Sequence, residues 1–196
     1  MTDFLLIVVA AATINNIVLE RLLGLCPVLG QTQGMSSRVD NAGRSGLATT
    51  CALTITAGLS HLLYQWLLLP RGLVYLRTIG LLALSALTVQ GVNVLLERHG
   101  AGQGPFASQH LPLTTMNCAV LGVALLTTGT ADTLGDAIAL GLGAGLGFTV
   151  VVMLFASLRP RLEQSPVPAP LRGPAVALIT VGMMSLAFLG FSGLGT

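Results

Sequence analysis

Long apolar blocks alternate with short polar ones along the whole chain. Residues 4–19 carry no charge, Glu20 and Arg21 interrupt, and apolar character resumes through Leu29. That first block is too long for one simple helix. It contains Asn15, Asn16 and Pro27, and proline removes a backbone donor and clashes with the preceding turn. A discontinuous first span is therefore expected. Residues 31–45, with Arg38, Asp40 and Arg44, read as a polar loop. Residues 45–70 have no charged side chain and predict a second span closed by Tyr64, Trp66 and Pro70. Tyr and Trp gather at membrane surfaces. A third span is predicted from Val74 to Leu96 and a central loop over residues 97–110. The fourth, Leu111 to Leu126, carries Pro112 and the polar run Thr114-Thr115-Met116-Asn117, so irregular backbone is expected there too. A short turn with Asp132 and Asp136 follows. Residues 137–158 predict a fifth span, Arg159 to Arg172 a loop, and residues 173–196 a sixth. The yardstick is the roughly 20 apolar residues that a membrane-crossing helix needs.

The blocks repeat. Leu25-Cys26-Pro27-Val28-Leu29-Gly30 and Asn117-Cys118-Ala119-Val120-Leu121-Gly122 both read Cys-x-Val-Leu-Gly. Arg71-Gly72 opens the third span as Arg172-Gly173 opens the sixth. Gly80-Leu81-Leu82-Ala83-Leu84-Ser85 is echoed by Gly182-Met183-Met184-Ser185-Leu186-Ala187. The predicted fold is an all-α polytopic membrane protein of six transmembrane helices in one membrane domain, residues 1–196. It is built as two three-helix repeats, about 1–98 and 104–196, with the first and fourth spans broken near the cysteines. Three spans per repeat invert the second copy, and inverted repeats with broken helices meeting at the midplane are a recurring way to build an intramembrane site. Cys26 and Cys118 are thus expected to face each other near the middle of the bilayer.

Composition agrees. Of the 196 residues 53% are hydrophobic and 8% charged, against roughly 25% charged in soluble domains. A formal charge of +2 gives no sign of a nucleic-acid partner, so membrane lipid is the expected surroundings. Three cysteines are not a disulfide framework. The N-terminus has Asp3 and no basic region, which reads as a retained first span, not a signal peptide. The basic residues are all arginines. Arg38, Arg44, Arg98, Arg159, Arg161 and Arg172 fall in loops on one side, and Arg71 and Arg77 on the other. The richer side is expected in the cytoplasm, with both termini outside.

With these motifs placed, the chain resembles the A-type subunits of Rnf-type ion-translocating electron-transport complexes, relatives of the D-type and E-type subunits of sodium-pumping NADH:quinone reductase. The resemblance covers nearly the whole chain. It is carried by Gly24-Leu25-Cys26-Pro27, Gly46-Leu47-Ala48-Thr49-Thr50, Tyr75-Leu76-Arg77-Thr78, Leu111-Pro112-Leu113, the Asn117–Gly122 motif, Val167-Pro168-Ala169-Pro170-Leu171-Arg172-Gly173 and Phe191-Ser192-Gly193-Leu194. It implies a [2Fe-2S] cluster in the membrane, with Cys26 and Cys118 as two of its iron ligands and two thiolates from a homologous E-type subunit of opposite topology. It further implies an inner-membrane ferredoxin:NAD oxidoreductase complex completed by B-, C-, D- and G-type subunits and coupled to sodium or proton transport. In such a complex this chain is a translocase subunit, not catalytic alone, and carries no flavin. One departure concerns ion coupling. The family's acidic residue a few positions after Val-Gln is absent, the run here being Val89-Gln90-Gly91-Val92-Asn93.

Other residues are weighed beside these. Glu20 and Arg21 read as an ion pair at the membrane face; at greater depth an ionisable group is a functional candidate, which puts Glu20 with Asn93 on an ion path. Cys51 lacks a counterpart in the second half and reads as packing. His61 reads as interfacial, and His99 and His110 as loop residues. Asn15, Asn16 and Asn117 are either interhelical glue or supports for broken backbone. Gly143 and Gly147 suggest close helix packing. Two other functions remain in view, a secondary transporter built on inverted repeats and a structural assembly subunit without a redox centre.

Overall fold

The computed structural model describes residues 2–14, 16–24, 39–70, 72, 74–98, 118–164 and 174–192. Among these, all regular structure is helical. Helix α1 (Thr2–Val9) widens into a π turn over Ala10–Ile14, breaks at Asn16 and restarts as the single turn α2 (Ile17–Glu20). Helix α3 (Val39–Leu63) continues as a π turn over Tyr64–Leu68. A 3-10 turn, Val74–Leu76, leads into α4 (Arg77–Arg98). The second half holds α5 (Cys118–Thr130), α6 (Leu134–Gln164) and α7 (Pro174–Ser192). Two stretches, Gly46–Leu68 and Leu134–Leu158, are long and apolar enough to cross a membrane.

Local chemistry sets the helix starts. Thr133 and Asp136 form a reciprocal cap before α6: the Asp136 amide donates to Thr133 Oγ1 at 3.2 Å, and the Thr133 amide donates to Asp136 Oδ2 at 3.3 Å. Two orphan donors of the first turn are satisfied this way. Pro174 opens α7, where its missing N–H costs nothing.

Several boundaries differ from the sequence reading. Val39–Arg44, expected in a loop, is the first part of α3, and Arg159–Gln164 is the last part of α6. Hydropathy marks where the lipid-facing stretch ends, while helical hydrogen bonding continues past it into water. Helix α5 likewise runs on to Thr130.

Helix α6 is the centre of the assembly, wedged between α3 and the first span. Towards α3 it presents Gly141, Gly145 and Thr149. A methyl group added to Gly141 would lie 2.8 Å from Ala57 Cβ, and one on Gly145 2.6 Å from Thr50 Cγ2. Thr149 bonds Thr50 through their hydroxyls at 3.1 Å. Partner numbers fall along α3 as they rise along α6, so the two helices are antiparallel. The opposite face of α6 presents Gly143 to Val8 and Ala11, and Gly147 to Ala12 and Asn16. Here numbers rise together, so the first span runs parallel to α6. Gly143 and Gly147 do pack a helix closely, as expected, and Gly141 with Gly145 forms a second such stripe. Small residues let backbones approach where lipid removes the hydrophobic drive for association.

Two cores fill the remaining space. One gathers Val18, Leu19, Phe148, Val151, Val152, Phe155, Ala156, Ala177 and Val181. The other joins Ile17, Leu53, Ala57, Val89, Val120, Val123 and Ala144. Both include residues of α2, so this single turn is held from two sides.

Candidate functional site

The break in the first span is built by one side chain. Asn16 is buried, its Oδ1 accepts from the Val18 amide at 3.1 Å, and its Nδ2 donates to the Ala12 carbonyl at 3.1 Å. It caps the helix below and satisfies a carbonyl freed above, so of its two sequence readings the support of broken backbone is the observed one. Asn15 and Asn117 lie outside the described residues.

Below the break the chain reverses within a few residues. Leu22 adopts φ +53°, a left-handed conformation uncommon for a residue with a branched side chain. The Leu23 amide returns to the Ile17 carbonyl at 3.4 Å. Gly24 follows at φ +89°. The reversal lays Leu23 against Gly122, where any Cβ would collide with the Leu23 side chain. Gly122 is the last residue of the repeated cysteine motif, and its bare backbone admits the first span to the surface of α5.

This approach brings the two halves together at sulfur. The Gly24 amide donates to Cys118 Sγ at 3.0 Å across 94 positions of sequence. Gly24 is buried against the Phe148 ring and Ala119, and Cys118, the first residue of α5, is half-buried. Phe148 lies two residues from the midpoint of the apolar stretch Leu134–Leu158, about 3 Å along the axis. The sulfur therefore sits near the middle of the apolar length of α6. Beside it opens a cavity of about 250 Å³ lined by Ile17, Arg21, Leu23, Gly122, Leu125 and Leu126.

The other predicted residues distribute as follows. Cys26 lies outside the described residues, as do His99 and His110. Asn93 belongs to α4. Cys51 is exposed on α3 rather than packed inside the chain. His61 is buried within the protein, one turn before the Tyr64–Leu68 turn with its exposed Trp66. Glu20 and Arg21 are both exposed. The Leu19 carbonyl accepts from Ser185 Oγ at 2.6 Å in the middle of α7, and Leu19 packs with Phe148 and Val151. Glu20 thus falls within the apolar length. Among the described residues no three His, Cys, Asp or Glu side chains gather into a metal site.

The sequence reading missed the part played by Arg77. Its Nε donates to Thr128 Oγ1 and its Nη2 to the Leu125 carbonyl, each at 3.0 Å, and its guanidinium stands 5.4 Å from the Tyr64 ring centroid. A cation near the C-terminal end of a helix is favourable. Arg77 therefore fixes the far end of the helix that begins at Cys118.

A family model described as "Rnf-Nqr subunit, membrane protein" matches residues 4–195. The chain belongs to this family. Among its relatives is the A-type subunit of the ion-translocating oxidoreductase complex of Shewanella piezotolerans, 43% identical over 194 residues, which are 99% of each chain. The protein of the same name from Shigella flexneri is 43% identical over 99% of this chain and 98% of its own. The resemblance read from the motifs is therefore borne out at the level of the family and of its A-type members. The Rnf-Nqr assignment also makes this a membrane protein, in line with its apolar helices.

Proposed function

We propose that this chain is the A-type subunit of an Rnf-type ion-translocating oxidoreductase complex, and that Cys26 and Cys118 hold half of a [2Fe-2S] cluster shared with the homologous E-type subunit. The observation that carries this reading is the Gly24–Cys118 hydrogen bond. It ties the residue two positions before Cys26 to the sulfur of Cys118. Covalent geometry limits two further residues to about 7 Å of chain, a length compatible with both thiolates serving one small cluster. The donor set suits the group: cluster irons take cysteine thiolates, and hydrogen bonds to those sulfurs are part of such sites.

When bound, the cluster supplies a one-electron acceptor and donor. The residues of this chain do the positioning. Asn16 holds the break, Leu22 turns the chain, Gly122 admits it, and Arg77 anchors α5. The Asn16 break in the first span and the repeated cysteine motif support an inverted repeat with broken spans, with the partner's thiolates across the midplane. Arginine placement supports an inner-membrane location with both termini periplasmic. The B-, C-, D- and G-type subunits complete the complex.

Coupling to sodium or proton movement is part of the same reading. Glu20, a carboxylate within the apolar length, is a candidate on the ion path, since such groups are costly by about 2.5–3.5 kcal/mol on insertion scales. Asn93 keeps a polar oxygen but cannot titrate, and coupling that is weak or rerouted through Glu20 is the expected consequence. Ion uptake per electron should change in Asn93→Asp; an unchanged ratio with normal electron flow removes position 93 from the path. For the cluster, iron analysis and electron paramagnetic resonance on the purified complex should give a [2Fe-2S] signal that the chain expressed alone lacks. An iron-free, silent complex would overturn the proposal.

A further inference from the structure

Gly24 stands out because several independent features converge on its one backbone amide. The N–H points at Cys118 Sγ from 3.0 Å. The residue is buried, and a buried amide needs an acceptor; here the acceptor is sulfur. Its φ of +89° suits glycine and few other residues. A Cβ there would lie 3.0 Å from the Phe148 ring and 3.2 Å from Ala119 Cβ. Conformation and packing thus both hold the amide on the sulfur, and the Asn16 cap and Leu22 turn fix the segment on which it rides. The second cysteine motif has Met116 at the matching position, so the sequence offers no second copy of this glycine.

We infer that Gly24 sets the redox properties of the Cys118 thiolate, raising the reduction potential of the cluster this half-site would hold. The inference rests on the function proposed above. Reduction of a thiolate-ligated cluster adds negative charge that is shared by the ligand sulfurs. An N–H dipole aimed at one of them favours the reduced form over the oxidised form. Hydrogen bonds to the sulfurs are a recognised determinant of cluster potential, and the effect is largest where water is excluded, because the same dipole acts in a lower dielectric. Gly24 is in this sense a positioning residue: it touches the ligand, not the metal.

The test has two parts. In the purified complex with ¹⁵N-labelled glycine, pulsed electron paramagnetic resonance of the reduced cluster should show a nitrogen coupling that is lost in Gly24→Ala. Redox titration of the same signal should place Gly24→Ala at a lower midpoint potential than the natural complex, by roughly tenfold in the reduction equilibrium, or about 59 mV for one electron. Gly182→Ala, where a methyl group meets open space, should leave both readings unchanged. If Gly24→Ala fails to assemble, Gly24→Ala combined with Phe148→Leu makes room for the methyl group, and the coupling in the natural complex still decides. A cluster with no glycine nitrogen coupling, or an unshifted potential in the variant, would overturn the inference and leave the proposed function standing. Absence of any cluster from the natural complex would overturn both.

Discussion

The α3–α6 seam and the Gly24–Cys118 junction both depend on small residues, and they use them for opposite ends. Along the seam, Gly141 and Gly145 remove side chains so that two regular helices can touch, and the Thr50–Thr149 hydroxyl pair closes the gap. The backbone there runs as two regular helices. At the junction the helix is broken, and the freed backbone groups are handed to specific partners: Asn16 to Ala12 and Val18, Leu23 to Ile17, Gly24 to sulfur. Irregular backbone inside a membrane is tolerated only where protein buries it. The junction rests on α6 through Phe148, and the seam holds α6 against α3.

The sharpest way to break the comparison is to fill the seam. Gly145→Val should be the most damaging change, because its Cβ would meet the backbone of α3, Thr50 Cα, at 2.7 Å. Overpacking of this kind costs about 1–3 kcal/mol and occasionally more. The expected readout is loss of monodisperse complex in size-exclusion chromatography. At the junction, Asn16→Ala should cost about 1–2 kcal/mol through the lost cap and the unpaired Ala12 carbonyl. Thermal unfolding of the complex checks it, and Asn16→Ser should recover only the capping half. Arg77→Gln removes the charge that holds the end of α5, with an expected loss of about 1 kcal/mol; an unchanged melting temperature would show that α5 is fixed by its core contacts alone. The smallest effect belongs to Thr56→Val. It removes the 2.8 Å bond to Thr88, and interhelical hydrogen bonds in membranes average about 0.6 kcal/mol.

The two regions were unequally legible in the sequence. Apolar blocks located the central part of each long helix among the described residues, because burial in lipid demands long uncharged runs. The second cysteine motif marked one side of the junction, and Gly143 with Gly147 was correctly read as close packing. What hydropathy lacks is register. It assigned Val39–Arg44 to a loop because charge does not itself end a helix. It left the part of Asn16 open because a capping asparagine and an interhelical one look alike in sequence. Gly24 passed as one more motif residue, since its amide, not its side chain, makes the contact. Arg77 was counted as a topological charge because its partners, Leu125 and Thr128, lie some 50 positions away. Each of these depends on which distant backbone group arrives beside it.

The central claim is that the two repeated cysteines, and no third one, ligate a shared cluster. Its most direct test is electron paramagnetic resonance and iron content of the purified complex carrying Cys26→Ser, Cys118→Ser or Cys51→Ser. The account predicts loss of the [2Fe-2S] signal in each of the first two variants, because a cluster iron loses a thiolate, and an intact signal in Cys51→Ser, whose side chain is exposed on α3. A normal signal in either Cys26→Ser or Cys118→Ser would contradict it.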